Sequence, residues 1–175
     1  AYARMLGIDT CLGFEVTGDP LDAKNQEELR KRLRHVLQTY PLTYLGIWQS
    51  ESLGVLGTKA DRAADKTADA EELWKAFAYF NEPKLQAEGV RMARHIRFAY
   101  QVMKELRPEV KMVVSGWGGD EHMTFTDHYI GLDKVLPPDV IFASLDNIDP
   151  RSADHVSKAY GKLNKGRQRW PVPWF

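Results

Sequence analysis

The chain has almost nothing with which to cross-link itself. Of its 175 residues only Cys11 is a cysteine, so an intrachain disulfide and a disulfide-stapled scaffold are excluded. Cys11 lies in an apolar run and reads as a small buried residue rather than a nucleophile. An excess of charge is missing too: 24 Lys and Arg balance 24 Asp and Glu. That balance argues against nucleic acid or an anionic membrane as the main partner. No apolar run approaches the roughly 20 residues of a membrane span. His122 and His128 stand six apart, with no third His or Cys nearby, so no metal site is expected. His35 and His95 fall in helical segments and read as surface residues. The turn after the first strand, Glu15-Val16-Thr17-Gly18-Asp19-Pro20, is acidic and lacks G-x-G-x-x-G, so a phosphate-bearing cofactor is not expected. The reading requires no cofactor at all.

What is present is a core-forming composition, 43% hydrophobic and 27% charged, at a one-domain length. The segments alternate between strand-like and helix-like. Ala1 to Leu6 resembles the end of a helix that Gly7 terminates. Ile8 to Glu15 is a first strand. Asp22 or Asn25 can cap a helix to Tyr40, with Leu29, Leu33, Val36 and Leu37 at helical spacing, and Pro41 ends it. Tyr44 to Glu51 is a second strand. Ser52 to Ala70 reads as loop, Ala70 to Tyr79 as a short helix, and Pro83 opens a long helix over Lys84 to Leu106. Its inner face carries Val90, Ala93, Ile96, Ala99, Tyr100 and Met103. A third strand runs from Lys111 to Trp117. Thr126 or Asp127 caps a helix from His128 to Leu136. Val140 to Asp146 is a fourth strand, and Ser152 caps a helix to Leu163. The basic stretch Gly166-Arg167-Gln168-Arg169 reads as a solvated approach to a fifth strand, Arg169 to Phe175, made irregular by two prolines.

Strands alternating with helices build a parallel sheet with right-handed crossovers, an α/β fold. Without a phosphate loop, a doubly wound sheet is the weaker closure. The stronger is a (β/α)8 barrel, which needs eight strands and about 250 residues. The five strands here predict a partial TIM barrel. The whole chain, 1–175, would be one domain and a fragment of a larger barrel, its remainder supplied by missing sequence or another chain.

In a barrel every strand's carboxyl end faces one mouth. The five ends carry Glu15; Glu51 with Trp48 and Gln49; Trp117 with Asp120, Glu121 and His122; Asp146 with Asn147; and Trp174. None carries a lysine. Carboxylates and amides bind hydroxyl groups, and tryptophan covers the apolar face of a sugar ring, so the expected partner is a carbohydrate. Glycoside hydrolysis needs two carboxyl groups. Neighbouring acids can divide proton donation from charge stabilisation, because like charges side by side resist joint ionisation. Glu121, Asp120 and Glu51 are the catalytic candidates. Glu15, Trp48, Gln49, Trp117, His122, Asp146, Asn147 and Trp174 are the candidates for substrate binding.

Gly118-Gly119-Asp120-Glu121 resembles the GGDE element that ends the fourth barrel strand of the family 20 glycoside hydrolases, the β-N-acetylhexosaminidases. The resemblance implies Glu121 as general acid. It implies Asp120 as the residue that orients and polarises the substrate's 2-acetamido group, the internal nucleophile. The five strands would then be the second to sixth of the barrel. The family usually carries histidine where Trp117 stands and an aliphatic residue where His122 stands, and the end of the preceding strand follows another pattern. Two other readings use the same residues. One is a non-catalytic carbohydrate-binding or scaffold module derived from a barrel. The other is a metal-dependent barrel hydrolase using Asp120, His122 and Asp146. Polysaccharide-degrading hydrolases are often exported, so a secreted or periplasmic address is the favoured expectation.

Overall fold

A computed structural model describes residues 5–49, 62–118, 125–147 and 161–174; residues 48–49, 116–118, 125–127, 144–147 and 171–174 are described by their backbone alone. Among the described residues are five strands, β1 (Cys11–Val16), β2 (Tyr44–Gln49), β3 (Lys111–Gly118), β4 (Ile141–Asn147) and β5 (Arg169–Trp174), and four helices. These are α1 (Ala23–Thr39), α2 (Ala70–Ala76), α3 (Pro83–Leu106) and α4 (Phe125–Val135). All pairings are parallel and the order is β1-β2-β3-β4-β5, without a reversal. No helix among the described residues is long and apolar enough to cross a membrane.

Local chemistry sets the elements. Asp22 is the α1 N-cap: its carboxylate accepts from the amides of Lys24 (2.7 Å) and Asn25 (3.0 Å), satisfying donors a helix start leaves orphaned. Pro83 opens α3, where no backbone donor is needed. Gly7 has φ +69°, the left-handed conformation expected after a helix end. Several expected boundaries move. β1 starts at Cys11 rather than Ile8, and α2 ends at Ala76 rather than Tyr79. α4 already includes Thr126 and Asp127, so neither caps it. Of the helix expected from Ser152 to Leu163, residues up to 160 lie outside the described residues. The prolines of β5 are accommodated because β5 ends the sheet. The Gln168 carbonyl accepts from the Phe142 amide (3.0 Å). By alternation Pro171 and Pro173 then turn their donor-less nitrogens to the free edge.

Strand alternation divides the core. Phe14, Val16, Leu45, Ile47, Met112, Val114 and Phe142 join the main cluster with buried residues of all four helices. The alternate residues Val113, Ile141 and Ala143 form a separate small cluster with Tyr44 and Trp170. The described helices therefore cover one face, whereas a doubly wound sheet is covered on both. α3 is the most enclosed helix: Gly89 to Ile96 are eight consecutive buried residues. The ring of Phe77 is a wedge between helices. A Cβ on Gly89 of α3 or Gly131 of α4 would approach it to 2.3 Å.

Two residues read as solvated are buried. Arg167 donates to Asp133 (2.6 Å) and to the carbonyls of Pro137 (2.5 Å) and Val140 (3.0 Å). It also donates to the Asp133 and Leu136 carbonyls (3.2 Å each) and so closes the carboxyl end of α4. His95 is 2% exposed and faces the β1–α1 loop. Cys11, read as buried, is exposed, because β1 is an edge strand and Cys11 sits on the face opposite the helices.

The sheet is strongly curled. Tyr44 and Trp170 touch edge to face, ring centroids 4.7 Å apart. Trp170 is in register with Ala143, Ser115 and Trp48, so Tyr44 lies three strands away and four residues back along β2. In a flat sheet, spacings of about 4.8 Å between strands and 3.3 Å per residue would separate the two Cα atoms by roughly 19 Å. Two aromatic side chains cannot bridge that gap, so the sheet bends toward the face they share.

Candidate functional site

Parallel pairing brings all five carboxyl ends to one edge of the sheet. One register row crosses it as Glu15, Trp48, Ser115, Ala143 and Trp170; Val16 pairs with Gln49. β3 and β4 run on past this row. Trp117 pairs with Leu145, Gly118 with Asp146, and Asn147 with Trp174 on β5. The candidates Glu15, Trp48, Gln49, Trp117, Asp146, Asn147 and Trp174 thus occupy neighbouring backbone positions along one edge.

Asp120, Glu121, His122 and Glu51 lie outside the described residues. Their approaches are described: β3 ends at Gly118, two residues before Asp120, and β2 ends at Gln49, two before Glu51. β2 and β3 are adjacent, and β3 runs two residues past the level of Gln49, so the two strand ends stand roughly 8 Å apart along the sheet.

Glu15 is the candidate whose side chain is described. It is exposed and alternates with the core residues Phe14 and Val16, which places it on the face opposite the helices. Arg32 of α1 donates to its carbonyl (3.4 Å) and stacks on the Phe14 ring (4.7 Å), fixing the strand end from the helical side. Ser115, which sequence reasoning passed over, is half-buried on the same face as Val113. The alternation of Met112 and Val114 with Val113 and Ser115 was its signal.

The loops at this edge are anchored on α3. Arg91 (2.6 Å) and His95 (3.1 Å) both reach the Gly18 carbonyl in the β1–α1 loop. Gly18 has φ +86°, and a Cβ there would meet the Asn25 side chain at 2.8 Å, so glycine is required twice over. Arg94 donates to Asp65 (2.8 Å), Asp69 (2.9 Å) and Thr67 (2.5 Å), and the Trp74 indole donates to Asp65 (2.8 Å). Burial alone would raise the Asp65 pKa, but the hydrogen bonds from Thr67, Arg94 and Trp74 outweigh it and hold the carboxyl well below the usual range. These anchors were legible only as an Arg-x-x-Arg-His spacing within a helix.

His128 packs among the helices and their connection. It is buried, its Nε2 is 3.0 Å from the Leu85 carbonyl, and its ring lies 4.8 Å from that of Phe80. Among the described residues no three acids, histidines or cysteines gather as a metal site; Asp120 and His122 are not among them. No protein family, curated protein or solved structure matches the chain.

Proposed function

We propose that this chain is part of a (β/α)8 glycoside hydrolase that cleaves O-glycosyl bonds in oligo- or polysaccharides, N-acetylhexosaminides being the first substrates to test. Glu121 donates the proton to the leaving oxygen. Asp120 orients and polarises the group that attacks the anomeric carbon. Glu51 binds the sugar or serves as the second carboxylate. Glu15, Trp48, Gln49, Trp117, His122, Asp146, Asn147 and Trp174 form the surrounding wall.

The observation that carries this reading is the common edge: five parallel strands in sequence order deliver acids, amides and tryptophans to one side. Curling supports the barrel. In an eight-stranded barrel of shear eight, residues at equal height shift by about one residue per strand. Over the three steps from β5 to β2 that is about three residues, and Tyr44 lies four back from the row of Trp170. Coverage of one face by helices is the barrel's arrangement as well. In the sequence an acid pair follows the end of β3 by two residues, the place relative to a strand from which barrel enzymes draw catalytic groups.

The test is turnover of a panel of aryl glycosides by the protein and by its Glu121→Gln and Asp120→Asn variants. Hydrolysis that falls by about 100-fold or more in Glu121→Gln supports the assignment. Undiminished turnover overturns it. Sugar binding without turnover in the parent protein would favour the non-catalytic module instead.

A further inference from the structure

α3 holds two loops of the candidate site's edge by different chemistry. The segment after Asp65 is tied by a guanidinium between two carboxylates. The β1–α1 loop is tied by two donors on one carbonyl, Arg91 Nη2 and His95 Nε2 on Gly18. To donate there, Nε2 must carry the hydrogen, which leaves Nδ1 bare. Nδ1 is buried and has no partner among the described residues. Arg91 faces the ring from α3 and opposes a second positive charge, whereas the Asp19 carboxylate in the loop offsets part of that cost without outweighing burial. Asn25, Gln26 and Leu29 of α1 and Phe98 of α3 line the same small cavity.

We propose that Arg91, His95 and the Gly18 carbonyl form an acid-sensitive latch: neutral His95 holds the β1–α1 loop against α3, and protonation of His95 releases that loop while the Arg94 anchor keeps its own. The added proton creates a buried donor without an acceptor and a second cation beside Arg91, both costly in a dry site. Released, the imidazole regains water. Burial, with the Arg91 charge adding to it, pushes the His95 pKa down to about 4 against the hydrogen bond to Gly18. A depressed histidine pKa means that the latch is at full strength above the ordinary value of about 6.5 and weakens as pH falls from there toward 4. Asp65 stays ionised across that window, so the second anchor does not respond. The latch stands independently of the glycosidase reading.

Amide hydrogen exchange between pH 7 and pH 4.5, corrected for the intrinsic rate, reads both loops in one sample. The peptide covering residues 17–22 should lose protection toward a limit of about tenfold per pH unit below pH 6, the slope of a single proton. The peptide covering 62–69 should keep its protection. His95→Gln retains an N–H donor for Gly18 but cannot titrate, so its loop should be insensitive to pH. A parallel NMR titration of the parent should place the His95 ring midpoint below the ordinary value of about 6.5, between it and the value of about 4 for the latched ring. Equal loss in both peptides, a response that survives in His95→Gln, or a midpoint at about 6.5 or above would each overturn the latch.

Discussion

On one face of the sheet Phe14, Leu45, Met112 and Phe142 meet four helices. On the other, Val113, Ile141 and Ala143 meet only Tyr44 and Trp170 among the described residues, and the paired Gly13 and Gly46 bring no side chain to either face. The first face is closed by large side chains locked between elements. The second is curled, sparse and continuous with the strand ends that carry the candidate site. Stability and chemistry are thereby separated across one layer of backbone. Strand ends can vary in residue type on the open face because the covered face supplies the burial that drives folding.

The comparison breaks most visibly at Phe77, which is fully buried between α3 and α4. Phe77→Ala should cost about 3–5 kcal/mol by denaturant unfolding, because the gap between two backbone-close glycines cannot collapse. A loss below 1 kcal/mol would show that the helical layer is not closed there. Gly131→Ala should cost about 1–3 kcal/mol by overpacking the same ring. A neutral result would mean that Phe77 has room to move.

Two neighbouring valines make the sharpest contrast. Val114 (3% exposed) belongs to the covered face and Val113 (4% exposed) to the open one. Each truncation to alanine removes the same atoms, about 1.5 kcal/mol of transfer energy. The cavity term should add to Val114→Ala and relax away in Val113→Ala, so the first should exceed the second by about 1 kcal/mol. Equal losses would contradict the difference between the faces.

Much of the architecture was legible before the structure. Period-two and period-3.6 patterns, with Asp22, Pro41 and Pro83 as punctuation, place all five strands and the four described helices within a few residues. Interior polar groups were not legible. His95, Arg91 and Arg94 look like a solvated stripe because periodicity describes one apolar face, whereas α3 is enclosed on several sides and buries eight residues in a row. Arg167 looks like a surface charge because its acceptors, the Asp133 carboxylate and the carbonyls at the end of α4, are distant in sequence. Cys11 errs in the other direction: an apolar run does not reveal that its strand is the sheet's edge. For the candidate site, parallel order confirms that the strand ends share an edge, and the acids that would do the chemistry follow β2 and β3 directly.

The central claim, that Glu121 delivers a proton at that edge, is tested most directly by the leaving-group dependence of Glu121→Gln. With aryl glycosides whose phenol departs poorly, the variant should be slower than the parent by about 10²–10⁴-fold. With an acidic dinitrophenol, which needs no proton, the two should hydrolyse within a few fold of each other. A variant slowed equally on both, or on neither, would contradict the claim.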